Sequence, residues 1–236
     1  MFSLFCINGV VAQNAPRKMK YSASAGASYY SGNVDKFDAK VTAGIQRVDS
    51  IVAYDVNGKF VYGKTNGDEN NCGIDAIGKL DFFQYNRWSP FVALECKANE
   101  YKGYYSIFSA LAGGKYRIYK KEGVSDYSLS LAVMYDRTDY TPEKTDLSKN
   151  ICRLSFRPKA VQKIGDVLTL KDVFFYQPAI NNFSDYVVMN TLTAECRISS
   201  YFYLCVGYDY EYRSKTPSAD YKNTDSSVDV SLKFVY

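Results

Sequence analysis

The chain has 236 residues, 47% hydrophobic and 16% aromatic with 23 tyrosines, yet its mean hydropathy is slightly negative, so apolar and polar residues must be interleaved. It has no apolar stretch near the ~18 residues a spanning helix needs, so a closed barrel of strands is the only form in which it can cross a bilayer. A formal charge of +4 without a basic block removes the footprint of a nucleic-acid binder, and the absence of histidine removes Ser-His-Asp, Cys-His and H-E-x-x-H chemistry.

Residues 1–15 (MFSLFCINGVVAQNA) read as an export segment, an apolar core followed by small residues, with Val10 and Ala12 at the −3 and −1 positions of a cut before Gln13. The segment lacks a basic start, and Phe5 directly before Cys6 argues against lipoprotein processing. Residues 16–236 read as one domain, because no Pro/Gly/Ser-rich linker divides them. Within it, period-two alternation bounded by turn residues marks about twelve strands, near 20–30, 36–47, 51–62, 72–84, 90–99, 104–119, 126–136, 150–161, 166–176, 185–198, 200–213 and 226–236.

The fifth segment sets Val92 and Leu94 against Glu95 and Lys97, and the eighth sets Leu154 and Phe156 against Arg153 and Arg157. In the tenth, Val188, Leu192, Ala194 and Ile198 oppose Thr191, Thr193, Glu195 and Arg197. The eleventh is clearest, with Phe202, Leu204, Val206, Tyr208, Tyr210 and Tyr212 on one parity and Cys205, Asp209, Glu211 and Arg213 on the other. Stretches 63–71, 137–150 and 214–227 read as long loops, and 48–50, 86–89 and 199–201 as tight turns, the unequal rims of a transmembrane barrel. An even strand count and short periplasmic turns place both chain ends on the periplasmic side. Aromatics gather near strand ends, among them Tyr29, Tyr30, Tyr62, Phe82, Phe83, Tyr104, Tyr105, Tyr201, Tyr203, Tyr210 and Tyr212, as ring belts at headgroup level do. The last segment alternates without a break through Phe234 to Tyr236, a candidate signal for the outer-membrane assembly machinery. Cys72, Cys96, Cys152, Cys196 and Cys205 are odd in number and lack C-x-x-C spacing, so they read as small apolar strand residues, not as disulfides or a metal site.

From about Lys20 to Tyr236 the chain resembles the YdiY-like, salt-stress-induced outer-membrane proteins, a family of unknown function. The resemblance rests on Ser31-Gly32-Asn33-Val34-Asp35 as a turn after the first strand, on Phe174-Phe175-Tyr176 as an aromatic strand followed by Phe183-Ser184-Asp185-Tyr186 as a loop, and on the pattern of the last strand. Gln177-Pro178 and the cysteines depart from it. The resemblance implies an outer-membrane barrel and supplies no catalytic or ligand-binding residue.

The expectation is therefore an all-β, closed antiparallel up-and-down transmembrane barrel of a Gram-negative-type outer membrane, in contact with lipid and without cofactor or metal. Its function is expected to be non-enzymatic, as a narrow passive channel or an envelope-structure protein. The candidate lumen-lining residues are Glu95, Lys97, Lys115, Arg117, Arg153, Arg157, Glu195, Arg197, Asp209 and Glu211, with Asp38, Lys40, Asp75, Lys79, Asp81 and Lys233 on the same parity. Barrels of about eight strands are filled by their own side chains and those of about sixteen are open, so twelve permits a pore or a salt-bridged plug. Lys115, Arg117, Arg153 and Arg157 would bias a pore towards anions. Gly113-Gly114 in a strand marks a bend or a close approach. Two rival readings remain: a soluble or periplasmic barrel with its apolar parity inward around an apolar ligand, and a lipid-acting barrel enzyme working through carboxylates such as Asp209 and Glu211.

Overall fold

The computed structural model describes residues 19–30, 36–49, 51–141, 147, 149–218 and 222–236. The export segment and the 31–35 turn lie outside the described residues. Runs rich in Tyr, Val, Phe and Thr form β1 (Met19–Tyr30), β2 (Lys36–Val48), β3 (Val52–Thr65), β4 (Asp68–Phe82), β5 (Trp88–Asn99), β6 (Tyr104–Lys121), β7 (Ser125–Tyr140), β8 (Asn150–Ile164), β9 (Leu168–Ala179), β10 (Asn182–Arg197), β11 (Phe202–Arg213) and β12 (Thr224–Val235), with one 3-10 turn (Glu100–Lys102) between β5 and β6. Each strand pairs antiparallel with its chain neighbours and β1 pairs with β12, which closes a twelve-stranded barrel.

The β1–β12 seam is held at one end only. Among the described residues its ladder runs from Ser22–Val235 to Ala25–Leu232, extended by reciprocal backbone bonds between Tyr21 and Tyr236, while both strands continue well past it on their other partners. The start of β1 and the end of β12 thus share one rim, called here the end rim; the opposite one is the far rim.

Apart from the far-rim part of the β1–β12 seam, each strand edge has a partner strand, so what decides the environment is the outward parity. It carries Val41, Ile45, Val56, Phe60, Ile74, Leu80, Val92, Leu94, Phe108, Leu131, Val133, Leu154, Phe156, Leu192, Leu204, Val206, Val228, Val230 and Leu232, all exposed. The inward parity buries Lys59, Glu95, Lys97, Arg153, Lys159, Lys171, Asp209 and Glu211. An apolar belt around a sealed sheet with ionic groups inside is stable only in lipid, so the protein is a transmembrane barrel of the outer membrane. The same orientation removes the soluble-barrel reading, whose apolar parity had to face inward. Cys96 and Cys152 are exposed in the lipid-facing rows, Cys205 is buried inside, and all five described cysteines are free. One carboxylate breaks the belt: Asp172 on β9 is exposed and accepts a 2.7 Å bond from Asn190 Nδ2 on β10.

Rings mark both rims. At the end rim Trp88 packs on Tyr116 with centroids 4.7 Å apart, Tyr119 on Tyr127, and Tyr201 and Phe202 on Phe234. At the far rim Tyr176, Tyr186 and Tyr212 form a row. Tyr104 is a correction to the expected girdle, because it is buried and points into the barrel, where the Arg213 guanidinium lies 6.0 Å from its ring.

The loops also differ from expectation. Stretch 63–71 is a tight hairpin: Asn66 (φ 53°) and Gly67 (φ 89°) adopt the paired left-handed conformation that an Asn-Gly turn favours, and β3 and β4 run up to it. Phe183-Ser184-Asp185-Tyr186 is not a loop but the start of β10, with a register shift between Asn182 and Tyr186. The other two expected loops shrink to 141–149 and 214–223, because β7 and β12 extend beyond their alternating portions.

Gly113-Gly114 divides in role. A Cβ on Gly113 would stand 2.2 Å from the Leu131 carbonyl oxygen and 2.6 Å from Ala132, whereas one on Gly114 meets nothing. Gly113→Ala is expected to cost ~1–3 kcal/mol, the range for overpacking, and Gly114→Ala to be close to neutral, as read from urea midpoints in lipid vesicles.

Candidate functional site

The functional candidate is the lumen, built where inward positions of neighbouring strands meet. On the β4–β7 side the charges are paired tightly. Lys97 lies 3.2 Å from Glu95, two residues along β5, with both side chains almost fully buried. Lys115 and Lys79 share Asp81 at 3.3 and 2.8 Å. Arg117 lies 3.5 Å from Asp126 and donates to the Gln84 and Tyr85 carbonyls at the end rim. Arg153 joins four strands, donating from β8 to Asp185 at 2.9 Å and to the carbonyls of Gln177 and Asp185, with Asp136 at 3.5 Å. Arg157 stacks over Phe175, 5.4 Å from its centroid. The basic group expected to favour anions is therefore not a bare cationic patch, since Lys115, Arg117 and Arg153 each face a carboxylate.

Beside these charges sits a feature that alternation did not disclose. Met134, Val173, Phe175, Val187 and Met189 form a buried apolar cluster inside the lumen, with Leu111 against it. Gln177, wholly buried, caps it by donating to Ser155 at 3.1 Å and contacting the Met134 sulfur. Its signal was present: in β9 the run Val173-Phe174-Phe175-Tyr176 and in β10 Val187-Val188-Met189 are apolar on both parities, so one row must face inward.

The remaining side is hollow. A cavity of about 450 Å³ opens at the far rim, walled by β1, β2, β10, β11 and β12 with the far-rim ends of β3 and β4, and bordered also by Tyr101, Lys102 and Tyr104. Lys102 spans to Asp225 at 2.8 Å. Deeper lies a second cavity of about 90 Å³, and the two have Lys40, Thr191, Asp209 and Asp229 as common walls. At that junction Lys40 on β2 bonds Asp229 at 2.7 Å and lies 3.5 Å from Asp209, whose other oxygen accepts from Thr191 at 2.8 Å. At the deep cavity's other end Glu195 accepts Lys171 at 2.7 Å and Lys233 at 2.8 Å on one oxygen. Glu211 pairs with Arg213 at 2.7 Å. Asp38 lines the outer cavity, and Asp75 faces Lys59 at 3.6 Å.

Of the ten candidates, nine lie on the inner wall, split between the packed side and the hollow side. Arg197 is instead exposed at the end rim, where it donates to the Ser199 carbonyl. Sequence reading passed over Lys59, Lys159, Lys171, Asp136 and Asp229, which the same parity rule would have named. Asp209 and Glu211 share a face as expected, but both are engaged by cations and offer no carboxylate pair set around a common substrate position.

A family model described as "Protein of unknown function, DUF481" matches residues 23–236. The chain belongs to this family. The matched stretch takes in eleven whole strands and most of β1, so the outer cavity lies within the DUF481 region and the deeper one does so except for Ser22. No curated protein matches the sequence. Among solved structures the chain is similar to a KdgM porin (7% identity, 93% of this chain and 98% of that one, TM-score 0.48) and to a NanC porin (8%, 92% and 97%, 0.48). It is also similar to the translocator domain of the autotransporter NalP from Neisseria meningitidis (10%, 95% and 90%, 0.49).

Proposed function

We propose that this DUF481 barrel is a non-enzymatic, narrow passive channel whose passage runs down the hollow side of the lumen, with the long loops outside the cell and both described chain ends in the periplasm. The observation that carries this reading is the pair of cavities with common walls on β2, β10, β11 and β12. Asp209, Glu211 and Glu195 would line the passage, whereas Glu95, Lys97, Lys115, Arg117, Arg153 and Arg157 brace the opposite wall. The cluster around Phe175 confines flow to one side, because a polar solute crossing it would have to shed its hydration. Detergent-extracted protein with heat-modifiable gel mobility, placed in planar bilayers, is expected to show small discrete conductance steps. A folded barrel with no conductance would instead favour an envelope-structure role, the second reading, which the ion-paired and apolar filling of the β4–β9 side supports.

The resemblance to the YdiY-like proteins supports a setting in envelope stress. Phe234 and Tyr236 are the candidates for recognition by the assembly machinery; Phe234 is exposed on β12 against Tyr201 and Phe202.

A further inference from the structure

The passage is interrupted twice, and the two interruptions carry opposite signs. Where the cavities meet, one ammonium, Lys40, faces two carboxylates, Asp209 and Asp229. At the deep end one carboxylate, Glu195, is held by two ammonium groups, Lys171 and Lys233. With each group in its ordinary ionised form, the first layer has an excess of negative charge and the second an excess of positive charge. The void between them is about 90 Å³, space for several waters or one small solute.

We propose, resting on the channel reading above, that these layers are a bipolar filter for small zwitterionic solutes carrying separate amine and carboxylate groups. A simple cation drawn to Asp209 and Asp229 next meets excess positive charge at Glu195, and a simple anion is opposed at the first layer. A zwitterion presents its ammonium to the first layer and its carboxylate to Lys171 and Lys233, so that each charge-assisted bond it disrupts is replaced by one it makes. A neutral solute of the same size must separate the pairs without replacing them.

The two sides of the lumen differ in whether such exchange is open to them. The Lys40 and Asp229 side chains keep 20% and 24% of their surface accessible and those of Lys233 and Glu195 keep 13% and 12%, while Asp209 and Lys171 are more enclosed at 9% and 5%. These pairs border the cavities, so a solute's charge can take the place of a departing partner and leave no charge stranded. Lys97 and Glu95, at 1% and 4%, have no such access, and opening them would strand buried charge.

The test uses the full chain in proteoliposomes, with swelling rates in glycine and in glycerol, and planar-bilayer reversal potentials in a potassium chloride gradient. Glycine is expected to enter faster than glycerol by roughly fivefold, the scale of one partly exposed ion pair. Lys40→Ala should raise conductance and shift selectivity towards potassium, whereas Glu195→Gln should shift it towards chloride. Should Lys40→Ala lose heat-modifiable mobility, Asp229→Asn replaces it, with a shift towards chloride expected. Equal entry of glycine and glycerol, with folded variants unchanged in conductance and selectivity, would overturn the filter and leave the channel standing. No flux through the wild type or any folded variant would overturn both.

Discussion

Val133→Arg is expected to destabilise the barrel by ~2–4 kcal/mol, the cost of arginine on the lipid face near the bilayer midplane, when urea unfolding is followed in lipid vesicles. Val133 is 53% exposed and lies near the middle of β7, opposite Ala112 of β6 and Leu154 of β8. In an aqueous protein a residue this open tolerates substitution within about 0.5 kcal/mol, so the two environments give different answers at one position. Ile164 is as exposed, at 51%, but ends β8 at the end rim. Ile164→Arg should therefore cost only ~0–1 kcal/mol, because the guanidinium reaches the headgroups. Equal and small losses at both positions would mean that the apolar belt does not face hydrocarbon.

The belt was legible because the environment acts on every second residue. Lipid on one side and ions on the other force an alternation that β11 shows over its whole length, from exposed Phe202, Leu204 and Val206 to inward Cys205, Asp209 and Glu211. Where that contrast fades, so did the reading. Above the bilayer both faces of a strand meet water, so Asp68-Glu69-Asn70-Asn71 pairs as the start of β4 with nothing in its composition to announce a strand. Only the Asn66-Gly67 dipeptide, a turn signal in its own right, marked the hairpin.

Inside the lumen the difficulty is of another kind. Parity places a side chain on the inner wall but does not say which residue it meets across the barrel, and partnership decides function here. Lys115 and Lys40 obey the same parity, yet one is tied to Asp81 on a packed wall and the other stands between two cavities. The apolar cluster illustrates the same limit, since Met134 on β7 and Phe175 on β9 are separated by β8 and by forty residues of chain.

Arg153→Ala is expected to cost ~3–5 kcal/mol, the range for removing one member of a buried ionic network. The Arg153 side chain is 9% exposed, so water screens it little, and its fork ties β8 to Asp136 on β7, the Gln177 carbonyl on β9 and Asp185 on β10. Without it two carboxylates are left in a poorly solvated corner, where Asp136 keeps the hydroxyl of Ser109, whose Oγ donates to it at 2.6 Å. Arg153→Lys should recover only part of the loss, because a single ammonium cannot reach both carboxylates and both carbonyls in the planar geometry of a guanidinium. Arg153→Met combined with Asp136→Asn and Asp185→Asn should be far less damaging than Arg153→Ala alone, since the penalty arises from stranded charge more than from the lost bonds. Urea midpoints of the three variants in the same vesicles decide the matter; a triple variant as unstable as Arg153→Ala would assign the loss to packing around Gln177 instead of to electrostatics.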